Sequence, residues 1–523
     1  MSTLLFSTIF ILLSNSVMAA TPAFPSDLFR TYHLEFEGKL TSYHVEDLNN
    51  DGLKDFLLFL SRGDKGKTKQ RFLSVFLQNK EGFLPKPTQT FEAADQIILF
   101  DIGDVSGDLR KEFVYFARSG IFYYTFSDTG FTLSPQLLFE TESIFMLSDK
   151  KALLKWDFVA DINGDYVDEI VVPRITELNI YFRNPTNNAW LINKIPLGVE
   201  TKVFAFFNER FSVGNKAAAL YSIPYLLFED FNSDGRDDLL GIYRDSLVVF
   251  CQEQSGFFSQ TPKQKIELRF GDLWRGAKIQ RAHIEEKSER RFLMRIVDLN
   301  HDGIIDVVGT KISTKESIIN PKTEVLIYFG NKETKNSKNT IYFDPEPDQI
   351  IKPGGTQLVL DILDLNQDHK FDFLIPVVKV GITRIIKLLL TKRVEIEAEY
   401  YEMGEDGYYH EKPNRRIKMM VRFSFRGGPA SPVYEIEDFN GDGYLDILSS
   451  LEERRLIIFW GDKKNLINSH VGAKFNVILP QDGDLVKAMD LNGDNKSDVI
   501  ITYGEEDVIR KKLSHTIKVL MAN

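Results

Sequence analysis

Short runs of β-branched and aromatic residues recur along the whole chain, separated by polar stretches rich in Asp, Asn, Gly and Pro. Such runs between turn-forming clusters predict β-strands. Each unit contains four predicted strands. In chain order they are a short apolar stretch, a first β-rich run, a second β-rich run and a more polar strand. The first runs include FLLFL at 56–60, FVYFA at 113–117, FLIPV at 373–377 and VIITY at 499–503. The second runs include FLSVFL at 72–77, LNIYF at 178–182, VLIYF at 325–329 and LIIFW at 456–460.

A nine-residue pattern, D-x-N-x-D-G-x-x-D, occupies the polar stretch before each first run. The complete copies are DLNNDGLKD at 47–55, DFNSDGRDD at 230–238, DLNHDGIID at 298–306 and DFNGDGYLD at 438–446. The copies that lack only the glycine are DLNQDHKFD at 364–372 and DLNGDNKSD at 490–498, and the most divergent are DINGDYVDE at 161–169 and DVSGDLRKE at 104–112. The copies start 57, 57, 69, 68, 66, 74 and 52 residues apart, which predicts a repeat architecture.

Units of four strands that repeat in this way predict an all-β protein, a β-propeller with eight four-stranded blades. Seven blades is the alternative if the copy at 104–112 is not a blade loop. The last unit lacks its outer strand, whereas FRTYHLEFE at 29–37 supplies a spare one, so we expect the N-terminal strand to close the ring. Closure leaves no exposed sheet edge. Residues 20–523 would then form a single domain.

The longest unit contains an expected long hairpin insertion at about 382–425, with its two strands meeting at the sequence GEDG. If the two strands pair across this turn, we expect Glu399 to face Lys412. Glu395 would likewise face Arg416. Tyrosines near the tip would belong either to a plain blade hairpin or to a projecting arm that binds a partner. These tyrosines are Tyr400, Tyr401, Tyr408 and Tyr409.

The nine-residue pattern concentrates carboxylates, which repel one another unless a cation lies between them. Oxygen ligands without sulfur or imidazole favour calcium. We expect ligands from the side chains at positions 1, 3 and 5, the backbone carbonyl at position 7 and a bidentate carboxylate at position 9, with a sharp turn at the glycine of position 6. The predicted calcium ligands are Asp47, Asn49, Asp51, Leu53 and Asp55; Asp161, Asn163, Asp165 and Glu169; Asp230, Asn232, Asp234, Arg236 and Asp238; Asp298, Asn300, Asp302, Ile304 and Asp306; Asp364, Asn366, Asp368, Lys370 and Asp372; Asp438, Asn440, Asp442, Tyr444 and Asp446; and Asp490, Asn492, Asp494, Lys496 and Asp498.

Helical calcium loops of the EF-hand or dockerin type begin in the same way but require an acidic residue at position 12. The residues at position 12 are Leu58, Tyr115, Val172, Gly241, Gly309, Ile375, Ser449 and Ile501. None of them carries a carboxylate, so the helical loop is excluded. A plain surface turn would explain one copy as well as a metal site does, but it does not explain eight copies in step with the strands.

The copies are expected to differ in calcium affinity. The complete copies, which start at Asp47, Asp230, Asp298 and Asp438, should bind best. At position 6, Asn495 tolerates a left-handed backbone and His369 does so less well. Tyr166 and Leu109 should weaken their sites, and Ser106 removes a ligand from the copy at 104–112.

The repeats resemble the FG-GAP or VCBS repeats of the integrin α-subunit propeller and of many exported bacterial proteins. The resemblance rests on D-x-N-x-D-G-x-x-D, the β-run after it, and an aromatic-Gly end, as in YFG at 328–330 and FWG at 459–461. It covers nearly all of the chain after the N-terminal segment. It implies a calcium-stabilised propeller with the ligands named above, and adhesion or ligand recognition as a function.

Residues 1–19 are typical of a signal peptide, with an apolar run at 4–13 and small residues at −3 and −1 of a cleavage after Ala19 or one residue later. No lysine or arginine precedes the run, unlike the usual signal. An apolar run of ten residues is too short to span a bilayer, which needs about 20. We therefore expect the protein to be exported. Because Cys251 is the only cysteine, the chain has no internal disulfide.

The net charge of −11 argues against nucleic acid as the main partner. Gly-Lys-Thr at 66–68 lacks the rest of a phosphate-binding loop, and no hydrolase or zinc-protease motif is present. Arg62-Gly63-Asp64 matches the tripeptide that integrins recognise, but a tripeptide recurs by chance. The sequence thus favours a monomeric binding or adhesion module for a protein or glycan ligand, with a lectin or a polysaccharide-lyase-like propeller as the alternative.

Overall fold

A computed structural model gives the architecture of the protein. It describes residues 28–63, 70–146, 152–206, 216–243, 245–270, 288–317, 320–335, 338–379, 391–422, 431–464, 466–504, 507 and 513–523. The predicted signal peptide, Asp64 and the Gly-Lys-Thr tripeptide lie outside these residues. None of the described segments forms a helix that is long and apolar enough to cross a lipid bilayer.

Eight small antiparallel sheets make up an eight-bladed β-propeller, as the sequence predicts. The copy at 104–112 belongs to a complete blade, so the seven-bladed alternative is wrong. The strands of blades 1 to 4 are Lys39–Glu46, Asp55–Arg62, Gln70–Phe76 and Gln89–Glu92; Leu99–Gly103, Glu112–Phe116, Gly120–Tyr124 and Gln136–Glu140; Val159–Ala160, Glu169–Pro173, Leu178–Arg183 and Trp190–Ile195; and Tyr225–Glu229, Asp238–Tyr243, Ser246–Phe250 and Gln264–Glu267.

Blades 5 to 8 follow the same order, except that two short segments share the first position of blade 6. Their strands are Glu289–Val297, Asp306–Ser313, Lys322–Tyr328 and Gln349–Ile351; Thr356–Gln357 with Asp361–Leu363, Asp372–Val378, Arg393–Tyr401 and Arg415–Arg422; Tyr434–Glu437, Asp446–Glu452, Arg455–Phe459 and Ala473–Asn476; and Val486–Met489, Asp498–Ile501, Thr516–Ala522 and Phe29–Glu35. A 3₁₀ helix, Gly483–Leu485, precedes blade 8.

The N-terminal strand closes the ring, which confirms the prediction. Phe29–Glu35 is the outer strand of blade 8 and pairs antiparallel with Thr516–Ala522, from Phe29 opposite Ala522 to Glu35 opposite Thr516. Leu34 is fully buried in this position. The first and last described strands of the chain therefore share one sheet.

The core lies between the blades. Second strands are buried on both faces because each sheet packs against its neighbours, which explains why the first runs are continuously apolar and do not alternate. Aromatic rings fill the wedge between blades 1 and 2: the ring centroid of Phe59 lies 4.3 Å from that of Phe100, which stacks on Phe113 at 4.9 Å. The many phenylalanines are thus interblade packing residues.

Two-stranded hairpins extend several blades beyond their four main strands. Between the third and fourth strands they are Gln78–Asn79 with Gly82–Phe83, Phe126–Ser127 with Gly130–Phe131, Asn331–Lys335 with Lys338–Tyr342, and Gly461–Asp462 with Leu466–Ile467. A separate hairpin, Glu200–Phe206 with Lys216–Ser222, connects blades 3 and 4.

Side-chain amides link neighbouring blades in a way that the sequence does not reveal. Asn193, on the outer strand of blade 3, accepts from the backbone N–H of Phe258 (2.7 Å) and donates to its carbonyl (3.1 Å). Gln89 forms the same double hydrogen bond with Phe131 of blade 2, at 2.8 and 2.7 Å. A side-chain amide can donate to a backbone carbonyl and accept from the N–H of the same residue at once. These two positions therefore require Asn or Gln.

The segment expected to form a hairpin insertion provides the outer two strands of blade 6, and its predicted register is wrong. Glu399 lies opposite Arg416, and Glu395 lies opposite Met420, a shift of four residues from the prediction. The 391–422 part of the segment belongs to the blade, while 382–390 and 423–425 lie outside the described residues.

Of the two alternatives for the tyrosines, the structure agrees with the plain blade hairpin and not with the projecting arm. Tyr400, Tyr401 and Tyr409 are buried, and only Tyr408 is exposed, at 49%. The Tyr400 hydroxyl donates to Asp372 Oδ2 at 2.8 Å, and Tyr409 stacks on Phe373. These tyrosines are therefore structural. The loop after Tyr401 packs on blade 5, where the Tyr409 N–H donates to Gln349 Oε1 at 2.9 Å, and this tertiary contact sets the register.

Candidate metal sites

Each nine-residue loop joins the first and second strands of its blade, and position 9 is always the first residue of the second strand. Equivalent connections of a propeller lie on one face of the ring, so the eight loops share that face. Position 12 lies within the second strand in every blade, as expected for a loop between strands. The predicted ligands of each loop therefore lie on a single turn, and the eight loops form a circle on one face of the ring.

The carboxylate at position 1 organises the turn of its loop. In blade 1 Asp47 Oδ1 accepts from the Asp51 N–H at 3.1 Å and Asp47 Oδ2 accepts from the Gly52 N–H at 2.8 Å. Asn49 Oδ1 accepts from the same Asp51 N–H at 3.1 Å, and Asp51 Oδ1 accepts from the Leu53 N–H at 2.9 Å. The oxygens of positions 1, 3 and 5 therefore face one backbone turn.

Hydrogen bonds of this kind recur around the ring. In every blade the N–H of position 6 donates to the position 1 carboxylate, and the N–H of position 7 donates to the position 5 carboxylate. The divergent loops at 104–112 and 161–169 keep both bonds. All eight loops thus have the same backbone fold, including those without the glycine.

The acidic residue at position 9 has a structural role that the sequence does not show. Asp446 is fully buried, and its Oδ2 accepts from the Phe439 N–H at 2.9 Å while its Oδ1 accepts from the Gly461 N–H at 2.6 Å. One oxygen therefore holds position 2 of the loop and the other holds the end of the third strand. Asp55, Asp306 and Asp498 make the same pair of bonds.

Burial changes the ionisation of these position 9 carboxyls. Desolvation raises the pKa of Asp55, Asp306, Asp446 and Asp498 to about 7, and that of Glu169 to about 8. Backbone hydrogen bonds lower each pKa, whereas the carboxylates at positions 1 and 5 raise it further. A nearby cation would oppose the charge repulsion among the three acidic groups.

Two residues of every loop adopt left-handed backbone conformations. Position 6 has φ between 63° and 84° whether it is Gly52, Leu109, Tyr166, His369 or Asn495. Position 4 also has positive φ in every loop, a requirement that the sequence motif, which leaves position 4 open, does not state. Leu109, Tyr166 and His369 thus carry backbone strain of about 1–2 kcal/mol each, whereas Asn495 tolerates this conformation.

Replacing Tyr166 with glycine should therefore stabilise the protein. The tyrosine side chain is 78% exposed, so its removal sacrifices little packing. Glycine relieves the strained φ but also increases the entropy of the unfolded chain. The net effect is a gain of about 0.5–1 kcal/mol in the free energy of unfolding. Denaturant unfolding at fixed calcium measures it. Tyr166→Ala, which keeps a Cβ, is the control, and equal midpoints for the two variants would contradict the strain.

Neighbouring loops are linked by backbone hydrogen bonds. The N–H at position 8 donates to a carbonyl at position 1 or 2 of the preceding loop: Lys54 to Leu491 (2.8 Å), Lys111 to Leu48 (3.1 Å), Asp168 to Asp104 (2.9 Å), Phe371 to Leu299 (2.9 Å) and Ser497 to Asp438 (2.7 Å). The first of these bonds crosses the junction between blade 8 and blade 1. An ion in one loop would therefore also stabilise contacts with the next blade.

The blade 2 loop contains an acidic cluster that the sequence interpretation left out. Carboxylate oxygens of Asp104, Asp108 and Glu112 lie within 4.8 Å of one another, and in the described part of the chain no other group of three or more acidic, histidine or cysteine side chains is as close. Asp104 and Glu112 are buried and Asp108 is exposed. Because this copy diverges from the motif, its residues were not among the predicted ligands, although the repeat period placed the loop.

The oxygen donors of the other loops are of the kind that calcium prefers, but their three carboxylates are not as close to one another as those of blade 2. Asp, Asn and backbone oxygens around one turn match the preference of this ion for several hard ligands. Asn49 Nδ2 donates to Asp51 Oδ2 at 3.1 Å, and Asn49 Oδ1 accepts from the Asp51 N–H. The carboxylate at position 9 already accepts two backbone N–H groups, so it would bind an ion through its remaining lone pairs.

A cleft of about 240 Å³ lies where the outer strand of blade 4 meets the hairpin of blade 5. Its lining includes the exposed side chains of Glu267, Arg269, Tyr342 and Asp344. Gln264 forms a double hydrogen bond with Ile341 at its base. The aromatic ring of Tyr342 lies in the same lining as acidic and basic side chains. This combination suits a polar ligand that has an apolar face.

Comparisons with known proteins do not assign a family. No protein-family model and no curated protein matches the chain. Among solved structures, a lectin of Agrocybe aegerita described for specific recognition of non-reducing terminal N-acetylglucosamine is 12% identical, with a TM-score of 0.38, and the match covers 84% of this chain and 94% of the lectin. A protein from Lactobacillus plantarum is 9% identical, with a TM-score of 0.29, covering 81% and 96% of the two chains. Function is therefore inferred from the molecule itself.

Proposed function

We propose that this protein is an exported calcium-binding propeller of the FG-GAP or VCBS type that acts as a binding module for a protein or glycan. The observation that carries the proposal is the presence, in all eight blades, of an acidic loop with one backbone fold on one face of the ring. Calcium would be held by the oxygens of positions 1, 3, 5, 7 and 9 and would neutralise the carboxylates of each loop.

A binding role fits this arrangement better than a catalytic one. The acidic loop is repeated once in each blade. Its copies are therefore distributed around the ring and do not converge on a single substrate position. Rigid blades that present loops on a common face are a frequent basis for ligand recognition. Fold does not fix function, so the ligand has to be found by experiment.

Calcium stoichiometry tests the metal part of the proposal. Equilibrium dialysis of the chelator-treated protein against ⁴⁵Ca²⁺ should show several ions per chain, with dissociation constants of about 10⁻⁴ to 10⁻³ M. Asp302→Asn, in a complete loop, should reduce the number bound by one, whereas Glu81→Gln, at the exposed turn of the blade 1 hairpin, should not. A wild-type chain that takes up no calcium would exclude the proposal.

The carbohydrate-binding alternative is favoured by the cleft between blades 4 and 5. A screen of immobilised glycans with calcium present should then yield a ligand, and Tyr342→Ala should weaken its binding about tenfold through loss of ring stacking. Lys332→Ala, on the same hairpin but outside the cleft lining, is the control. Release of unsaturated sugars from a bound polysaccharide would identify a lyase, and an empty screen would favour a protein ligand.

A further inference from the structure

A second cleft, of about 270 Å³, lies between blades 7 and 8 and differs in charge from the cleft between blades 4 and 5. Both charged side chains in its described lining, Arg454 and Lys518, are basic. Thr31 and Asn476 add a hydroxyl and an amide, and Phe475 adds a half-buried aromatic ring. The chain has a net charge of −11 and concentrates acidic groups on one face of the ring, so a cleft with positive charge alone is a distinct feature.

The strands of the two blades place both cations at this cleft. Lys518, on the third strand of blade 8, lies opposite Ile501 and His33 of its neighbouring strands. Cross-strand partners share a face of the sheet, and Ile501 packs in the core between blades 7 and 8, so the Lys518 side chain faces blade 7. Arg454 lies in the turn between the second and third strands of blade 7, where its carbonyl accepts from the Val477 N–H at 3.1 Å. Because successive strands of a blade are antiparallel, this turn lies on the face opposite the acidic loops.

No acidic side chain in the described part of the chain forms an ion pair with either cation. Glu453 contacts Arg422 Nη2 at 3.1 Å, so its carboxylate is already engaged. Lys311, which is half-buried in blade 5, contacts Glu324 Oε2 at 3.2 Å, whereas the half-buried Lys518 has no such contact. Burial lowers the pKa of the Lys518 ammonium group. A half-buried cation without a counter-ion is unfavourable, because it has lost water and gained no opposite charge.

We propose that this cleft binds the oxyanion of a small ligand, a carboxylate or a sulfate, with Arg454 and Lys518 as its counter-ions. A guanidinium presents N–H donors to two oxygens at once, and an ammonium adds three donors. Thr31 and Asn476 would bind hydroxyl groups of the same ligand, and Phe475 would pack against its apolar part, a combination that an acidic sugar offers. The proposal goes beyond the calcium loops, because it assigns a ligand to the opposite face of the ring and needs no metal.

Two labelled probes test the site in the full-length protein. Equilibrium dialysis in millimolar calcium should show that glucuronate and sulfate bind and compete with each other, whereas glucose, which has no charge, should not compete. Arg454→Gln and Lys518→Met should each weaken binding about tenfold, the contribution of one hydrogen bond between charged groups. Arg454 is exposed on a turn, so its variant tests the site even if the Lys518 variant folds poorly. Arg30→Gln is the control, because it removes the same charge from the outer strand of blade 8 but lies outside the cleft lining.

The outcomes separate this site from the calcium loops. Failure of both probes to bind, or wild-type affinity in both cleft variants, would refute the oxyanion site. Tighter binding of glucuronate than of sulfate would extend the site to a sugar ring beside Phe475, and equal affinities would restrict it to the oxyanion. Both cleft variants should keep the wild-type number of ⁴⁵Ca²⁺ ions, so loss of this proposal leaves the calcium loops standing. A chain that takes up no calcium but binds glucuronate would refute the loops and support the cleft.

Discussion

Chelation of calcium should lower the melting temperature of this protein by about 10 °C. Calcium at ten times its dissociation constant stabilises a native protein by about 1.4 kcal/mol per site. The seven loops predicted from sequence would together contribute roughly 10 kcal/mol. An unfolding entropy of about 2.1 cal/mol/K per residue gives a chain of this length roughly 1 kcal/mol of stability per degree. Differential scanning calorimetry with excess EDTA or with millimolar calcium measures the shift.

The control for this experiment is EDTA that has been saturated with calcium beforehand, which tests any direct effect of the chelator. Links between the loops strengthen the expectation, because a loop that loosens also releases a carbonyl that the next blade uses, as Leu48 does for Lys111. Superimposable melting curves with and without free calcium would mean that the loops are held by their internal hydrogen bonds alone.

Removal of the N-terminal strand should unfold the propeller or convert it to aggregates. A chain that starts at Gly38 loses the outer strand of blade 8 and three buried side chains, Phe29, Leu34 and Phe36. Each contributes about 2 kcal/mol of burial, roughly 6 kcal/mol in all, which is comparable to the whole stability of many domains. The exposed edge of Thr516–Ala522 would also offer an unpaired strand to other chains.

A chain that starts at Leu28 keeps the strand and is the matched control. Denaturant unfolding and light scattering compare the two, and a synthetic peptide of residues 28–37 should restore the shortened chain in part by pairing with the open edge. Identical unfolding midpoints for the two chains would show that the ring does not depend on this strand.

The wrong register of the blade 6 hairpin shows where reasoning along the chain stops. The strands around Tyr400 and Arg416 were foreseen, since alternation and β-propensity are local properties. Their register was not, because it depends on a loop that packs against Gln349, some 60 residues away in the chain. Tertiary packing also buries Tyr409 and Tyr400, and no local pattern distinguishes them from the exposed Tyr408.

The sequence by itself determined the repeat architecture, the order of strands, the closing strand and the place of the acidic loops, because each can be read from local patterns or from a period. The structure decided between eight blades and seven. Tertiary structure alone decided what position 9 does and which amides join the blades. These features depend on atoms that meet only after the sheets have packed. A motif records which groups a loop carries, but the neighbouring strands and blades decide which of those groups remain free for a ligand.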